Sequence, residues 1–407
     1  MSAPLDRRLG TLDATVIGLG SMLGAGVFAA FTPAAQAAGS GLLVGLVVAA
    51  IVALCNATSS AQLAAVYPTS GGTYVYGRER LGPWWGFIAG WSFVVGKTAS
   101  CAAMALTFAA YAAPPGWERP VAAIAVIALG AVNYRGVAKT AGLTRVIVVI
   151  VLLALALGVV SQSGTGLPHL PELDLLAAGP YGILQSAGLL FFAFAGYARI
   201  ATMGEEVRDP ARTIPRAILL ALGIVVLIYA GVAVVLLGSL GANGIAASPQ
   251  PLASGWAGPA VRVGAAVASL GALLGLMAGI GRTTLAMARE QDLPRWLAAV
   301  HPTYSVPHRA ELVLTVVVVA LVLAVDLRGA ISFSSFGVLV YYFVANAAAL
   351  TQPRKQRRYP RALAVVGALL CVVLVATLPV AGIIGGVAVV ALGLIVRWAR
   401  VRRLRAG

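Results

Sequence analysis

Long apolar runs separated by short polar stretches fill the chain. Runs over residues 13–37, 41–66, 83–112, 120–138, 142–161, 181–204, 216–239, 260–285, 310–326, 330–350, 362–378 and 380–397 carry few charges. A helix needs about 20 apolar residues to cross a bilayer. The pattern therefore predicts an all-α integral membrane protein with about twelve transmembrane helices. Two runs are interrupted. The first contains Gly20-Ser21-Met22-Leu23-Gly24-Ala25-Gly26-Val27-Phe28, and the sixth contains Phe191-Phe192-Ala193-Phe194-Ala195-Gly196-Tyr197. Glycine weakens a helix interior by about 1 kcal/mol, and lipid offers a freed amide no water to bond. Broken backbone at membrane depth is tolerated where it lines a cavity, and two such breaks in corresponding positions point to a transporter binding site. Successive runs alternate in direction, so 13–161 and 181–350 have inverted topology. That predicts a 5+5 inverted repeat with discontinuous helices 1 and 6, and two peripheral helices over 362–397, all in one domain of 1–407.

Composition narrows the class. Charged residues are only 10% of the 407 and hydrophobic ones 60%, against about 25% charged in soluble domains; no polar shell for a water-soluble body is available. The net charge of +16 raises nucleic acid as a partner, but its placement argues for a bilayer. Arg7, Arg8, Arg78, Arg80, Arg135, Lys139, Arg208, Arg212, Arg289, Arg295, Arg309, the Arg354–Arg361 cluster and the tail Arg397–Arg405 fall in one set of loops and ends. The other set holds Arg119, Arg262 and Arg328. By the positive-inside rule, both termini are expected in the cytoplasm of a multi-pass protein of the cell (plasma) membrane. Cys55, Cys101 and Cys371 lie inside apolar runs and His169, His301 and His308 in loops. No disulfide framework, metal site or cofactor site is expected. Met1–Gly10 lacks the short apolar region and cleavage site of a signal peptide.

Several residues bear on chemistry. An unwound segment through Ser21, Met22, Gly24, Ala25 and Gly26 exposes amide and carbonyl groups. A half-helix starting near Gly26 points its positive end at a carboxylate, and the carbonyls before the break accept from an ammonium. That pairing suits a zwitterionic amino acid. A small-residue packing face is the alternative, and the matching break in the sixth run favours the site. Ala193, Ala195 and Gly196 allow that second break; Phe192 and Phe194 are the aromatic candidates for closing over a substrate, against a plain packing role. Lys97 lies midway along the third run. An ammonium there costs several kcal/mol on insertion scales, so it replaces a coupling ion, carries a proton, or bonds backbone carbonyls at a break. Arg199 pairs with Glu205 or Glu206 as an inner gate, or snorkels to the surface. Asp13 caps the first run or pairs at a gate. The eighth run offers only Ser269 as a hydroxyl over 265–281, which supplies a sodium site poorly and leans towards proton coupling or exchange.

These blocks resemble the amino acid–polyamine–organocation (APC) superfamily over nearly the whole chain. Gly20–Phe28 is similar to that family's first-span signature. Phe191–Tyr197, Glu205-Glu206-Val207-Arg208-Asp209-Pro210 and Thr213-Ile214-Pro215-Arg216-Ala217-Ile218 resemble its sixth span and following loop. Gly281-Arg282, Ala286-Met287-Ala288-Arg289-Glu290, Leu293-Pro294 and Pro307 resemble the end of its eighth span and the next loop. The resemblance implies a leucine-transporter-like fold and secondary active transport of an amino acid by alternating access, with a proton or a counter-amino acid, and no enzyme activity. It places carboxylate recognition on the Ala25 and Gly26 amides and ammonium recognition on carbonyls near Met22, Phe192 and Ala195. Ser21 would line the pocket and Phe192 would gate it. Two departures matter. Many cation-selective members carry an acid where this chain has Ala198, and several proton-coupled members carry a lysine where it has Val151. Both favour a neutral substrate, with Lys97 as a substitute cation. A cationic amino acid or polyamine antiporter, or a non-transporting sensor on the same fold, is the alternative.

Overall fold

The computed structural model describes residues 9–68, 71–136, 141–164 and 166–406. Asp6, Arg7, Arg8 and Lys139, which entered the charge count above, lie outside them. Among the described residues, sixteen α-helices follow one another: α1 (Thr11–Met22), α2 (Ala25–Ala29), α3 (Phe31–Ala38), α4 (Leu42–Val66), α5 (Thr73–Leu81), α6 (Pro83–Ala112), α7 (Glu118–Tyr134), α8 (Ala141–Ser163), α9 (Gly179–Phe194), α10 (Ala198–Ala201), α11 (Pro210–Ala247), α12 (Gly258–Arg289), α13 (His308–Ala324), α14 (Leu327–Leu350), α15 (Arg361–Thr377) and α16 (Val380–Ala406). Nine helical stretches among these residues are long and apolar enough to cross a membrane. The helices α7, α13 and α15 have 17 residues each, about 26 Å at 1.5 Å per residue.

Outward faces are apolar. On α8, Val146, Val149, Leu153, Leu157 and Val160 are each at least 40% exposed. Their spacing of three and four residues forms one stripe, too large a bare apolar face for water and suited to lipid. Inside, α6 packs between α12 and α14, α4 against α9 and α11, and α7 against α13. Small residues set these crossings. Gly96 of α6 and Gly337 of α14 meet backbone to backbone, and a Cβ on Gly337 would lie 2.7 Å from the Gly96 Cα.

The sequence reading needs three corrections. The first break is shorter than Ser21–Gly26: Ser21 and Met22 stay helical, and only Leu23 and Gly24 separate α1 from α2. The half-helix starts at Ala25 and runs on into α3, because Ala30 keeps helical angles and its amide bonds the Gly26 carbonyl at 2.9 Å. The second break falls at Ala195 and Gly196 as one 3-10 turn, Ala195–Tyr197. Finally, the stretch 67–82, read as a loop, contains α5, which the Gly72 backbone at φ +53° starts and Gly82 at φ +101° ends.

The loops segregate into two ends. At the end carrying the described N-terminal residues, Leu9 pairs with Val207, and Arg358 bonds the Ala211 carbonyl at 2.6 Å. Asp292, after α12, is the centre of this end. It accepts from Tyr74 at 2.8 Å and Arg78 at 2.9 Å, both on α5, and from Arg397 of α16 at 2.9 Å. Arg397 also lies over the Trp84 and Phe87 rings. Burial pushes the Asp292 carboxyl above the usual range, and the two guanidiniums pull it back. At the other end, Thr32 bonds the Ser248 carbonyl at 2.8 Å and Arg328 reaches Gln36 and Gln185. Removing one partner of a buried pair leaves the others uncompensated, at about 3–5 kcal/mol. Asp292→Ala is therefore expected to lower the thermal unfolding midpoint in detergent sharply, whereas Glu290→Ala, which removes a half-exposed partner of Arg78, is expected to leave it nearly unchanged.

Candidate functional site

The two breaks touch. Gly26 of α2 lies on Ala193 of α9, where an added Cβ would come within 2.6 Å of the Ala193 Cα. Gly196, in the second break, lies on the Ser21–Met22 peptide, and any Cβ there would collide with the Ser21 carbonyl. Glycine at these two positions is what allows the two chains to cross so closely. Gly24, Ala25, Gly26, Ala195 and Met22 are all buried, so the breaks are shielded from both ends of the molecule.

Breaking a helix frees carbonyls, and buried ones need donors. Three side chains supply them. Tyr229 of α11 places its hydroxyl 2.6 Å from the Met22 carbonyl and 3.1 Å from the Ala193 carbonyl, sharing one proton between the two breaks. Lys97 of α6 donates to the Ala195 carbonyl at 3.1 Å. Tyr111 of α6 donates to the Phe28 carbonyl at 3.1 Å. Lys97 is 6% exposed, and among the described residues the Ala195 carbonyl is its one hydrogen-bond acceptor. The reading of Lys97 as bonded to a carbonyl at a break matches this geometry; a coupling role is compatible with it. Sequence reasoning missed Tyr229 and Tyr111. For Tyr229 the signal was available: a single Tyr in an otherwise aliphatic stretch needs a hydrogen-bond partner when buried.

Other expected site residues separate. Phe192 is 8% exposed and packs in one cluster with Ala25, Ala29, Met104, Ala272 and Met277. Phe194 belongs to a different cluster and lies on the Tyr229 ring at 5.1 Å. The two rings thus face opposite sides of α9. The Ser21 hydroxyl turns back to the Ile17 carbonyl at 2.9 Å. Arg199 pairs with Glu206 at 3.8 Å, and Glu205 sits half-buried beside that pair. Asp13 accepts from the Gly10 amide at 3.1 Å and from Arg145, so it is both cap and ion-pair partner. Where α12 meets the first break it presents Ala272 and the Ala268 carbonyl to Gly24. No cluster of three or more His, Cys, Asp or Glu suited to a metal occurs among the described residues.

Two buried helix breaks braced by side chains of neighbouring helices are the layout of a transporter site, and comparison with known proteins decides the family. A family model described as amino acid permease matches residues 9–396. The chain belongs to the amino acid permease family, within the APC superfamily. It is a multi-pass membrane transporter rather than an enzyme, and its business is amino acid transport. The permease is 60% identical to an uncharacterized transporter of Mycobacterium tuberculosis over 96% of its own chain and 90% of the relative's. It is 25% identical to the branched-chain amino acid permease of Bacillus subtilis, over 88% of this chain and 83% of that one. It is 28% identical to the chloroplastic cationic amino acid transporter 7 of Arabidopsis thaliana, over 84% and 65% respectively.

The packing of Gly196 gives a test of the permease's crossing. Gly196→Ala is expected to abolish uptake in proteoliposomes. Gly223→Ala, on an open face of α11 with nothing within 4 Å of the new Cβ, is expected to transport normally. Tyr229→Phe leaves the shape and removes the shared donor. Two buried carbonyls then lose it, at about 1–3 kcal/mol each, read as a lower unfolding midpoint in detergent.

Proposed function

We propose that the chain is a secondary active permease for a neutral amino acid, working by alternating access with a proton or a counter-amino acid as the driving partner. The observation that carries this is the lining at the breaks. Phe192 packs in one apolar cluster with Ala25, Cys101, Met104, Ala272, Leu273 and Met277, and Ala198 stands where many cation-selective members carry an acid. The first-turn amides of α2 have no intrahelical partner and suit a substrate carboxylate. The Met22 and Ala195 carbonyls suit its ammonium, in competition with Tyr229 and Lys97. Phe192 is the gating ring, and Lys97 takes the part of a coupling cation by letting go of Ala195. Arg199, Glu205 and Glu206 form the gate nearest the termini.

We read the fold as twelve spans in a 5+5 inverted repeat: α1–α3, α4, α6, α7 and α8, then α9–α10, α11, α12, α13 and α14, with α15 and α16 peripheral. Symmetry of the packing supports this. If each helix of the first five is exchanged for its counterpart, α4 on α9 becomes α11 on α1, and α8 on α12 becomes α14 on α6; all four pairs are in contact. Alternating access would rock α1–α4, α9–α10 and α11 against α6, α7, α12 and α13. The basic loops support cytoplasmic termini, and we take the membrane to be the plasma membrane. A cationic substrate is the second reading, favoured by the Arabidopsis relative's name and weakened by Ala198.

The experiment is uptake in proteoliposomes with labelled neutral, cationic and acidic amino acids, with and without an inward proton gradient. We expect a neutral substrate. Uptake confined to cationic compounds overturns that choice. Lys97→Ala is expected to abolish accumulation on a proton gradient; unaltered uphill uptake in that variant assigns Lys97 to bracing the break alone.

A further inference from the structure

A second buried ionisable side chain lies on an element that the breaks do not use. Glu311, in the first turn of α13, is 3% exposed. Its Oε2 has no hydrogen-bond partner. Its carboxylate presses on Gly281 of α12, where any Cβ would collide with Oε1. The side chain also lines a cavity of about 480 Å³ between α7 and α13, whose rim carries Tyr134, Arg135 and Tyr304. Tyr134 ends α7, and Arg135 and Tyr304 follow in the loops at the end carrying the termini, so the cavity reaches from that end to the carboxylate.

The depth of Glu311 follows from helix geometry. Gly90 of α6 lies against Met287 of α12. Lys97 is seven residues further along α6, and Gly281 six residues back along α12, which runs the opposite way. At 1.5 Å per residue both climb about 10 Å from that contact. Lys97 and the Gly281–Glu311 contact are therefore at the same depth. Between them lies Cys101, one turn above Lys97 and packed in one cluster with Leu314 of α13. The charged and titratable groups facing Glu311 are Arg282 from α12 and Cys101 from α6. Tyr134 and Arg135 of α7 and Tyr304 of the loop before α13 line the cavity, and His301 and His308 stack around Tyr134.

We propose that Glu311 is the proton-binding site through which this permease couples to a proton gradient, loaded from the substrate side, unloaded through the cavity between α7 and α13, and felt at the inner gate through Arg282. A buried carboxylate with an unpartnered oxygen is costly to keep charged. A proton is the ligand that satisfies it without moving the walls. Neutralising Glu311 removes a negative charge from beside Arg282. Arg282 in turn acts on Arg199, so the change reaches the inner gate. No bond beyond the transferred proton forms or breaks: Glu311 gains it on the substrate side and releases it to water in the cavity, so that one proton moves inward in each cycle.

This rests on the symport arm of the proposed function, and the test separates the two. Wild type, Glu311→Gln and Glu311→Asp are reconstituted. Each is assayed for accumulation on an inward proton gradient and for counterflow exchange of the same amino acid without one. The expected result is that Glu311→Gln loses at least tenfold in gradient-driven accumulation and keeps its counterflow, while Glu311→Asp retains accumulation with a displaced pH dependence. Gradient-driven accumulation by Glu311→Gln at the wild-type level overturns the site and leaves symport standing. Loss of counterflow together with accumulation in Glu311→Gln assigns Glu311 to packing and also overturns it. Wild-type uptake indifferent to the gradient overturns the symport reading, and the site with it.

Discussion

A backbone carbonyl freed inside a membrane protein has to find a donor within the protein, and the rest of this structure is arranged around that need. Two helices are interrupted at mid-depth, and each interruption leaves carbonyls at Met22, Ala193 and Ala195 without their ladder partners. Tyr229 serves one on each side. Lys97 serves the third. These two side chains come from α11 and α6, on opposite flanks of the breaks, so the need for donors also fixes where the surrounding helices must stand. The tight crossings at Gly26 and Gly196 follow from it, because only chains in near contact share one phenolic proton.

The same arrangement explains why these breaks suit a transporter. The donors that now hold the carbonyls are a phenol and an ammonium, and a substrate ammonium offers the same chemistry. Substrate and protein are thus interchangeable partners for one set of acceptors, at little cost in unsatisfied groups. The amides at the start of α2 have no such internal substitute, which leaves them for a carboxylate. Under the proposed function, the ammonium and carboxylate of an amino acid meet both demands.

Charge inside the bundle is rationed. Lys97 and Glu311 are buried at one level on different helices, and Asp292 with Arg78 and Arg397 closes the end carrying the termini. The Asp292 cluster ties α5, the loop after α12 and α16 through a single carboxylate, so these three elements separate together or not at all. Arg199 with Glu206, a longer and more exposed pair at 3.8 Å, is the weaker contact of that end. Opening there costs less than opening at Asp292.

Much of this was legible in the chain. Apolar run length gave most of the helices within a few residues, because about 20 apolar residues in succession have few stable alternatives to a spanning helix; α11 and α16 run on well past the expected ends at 239 and 397, to Ala247 and Ala406. Gly20–Phe28 and Phe191–Tyr197 marked both breaks, because small residues there weaken helix and permit contact. What the sequence left open was pairing. Whether Phe192 and Phe194 act together depended on the rotation of α9, and the fold sends them to opposite sides. The donor for the Met22 carbonyl at the first break is Tyr229, a residue 207 positions away. The choice of Glu206 for Arg199, the place of Lys97 against Ala195 and the depth of Glu311 beside Gly281 are likewise contacts between distant helices. Local pattern determines which segments cross and where they break; only packing decides which buried donor meets which acceptor, since those partners are brought together by the fold and not by the spacing along the chain.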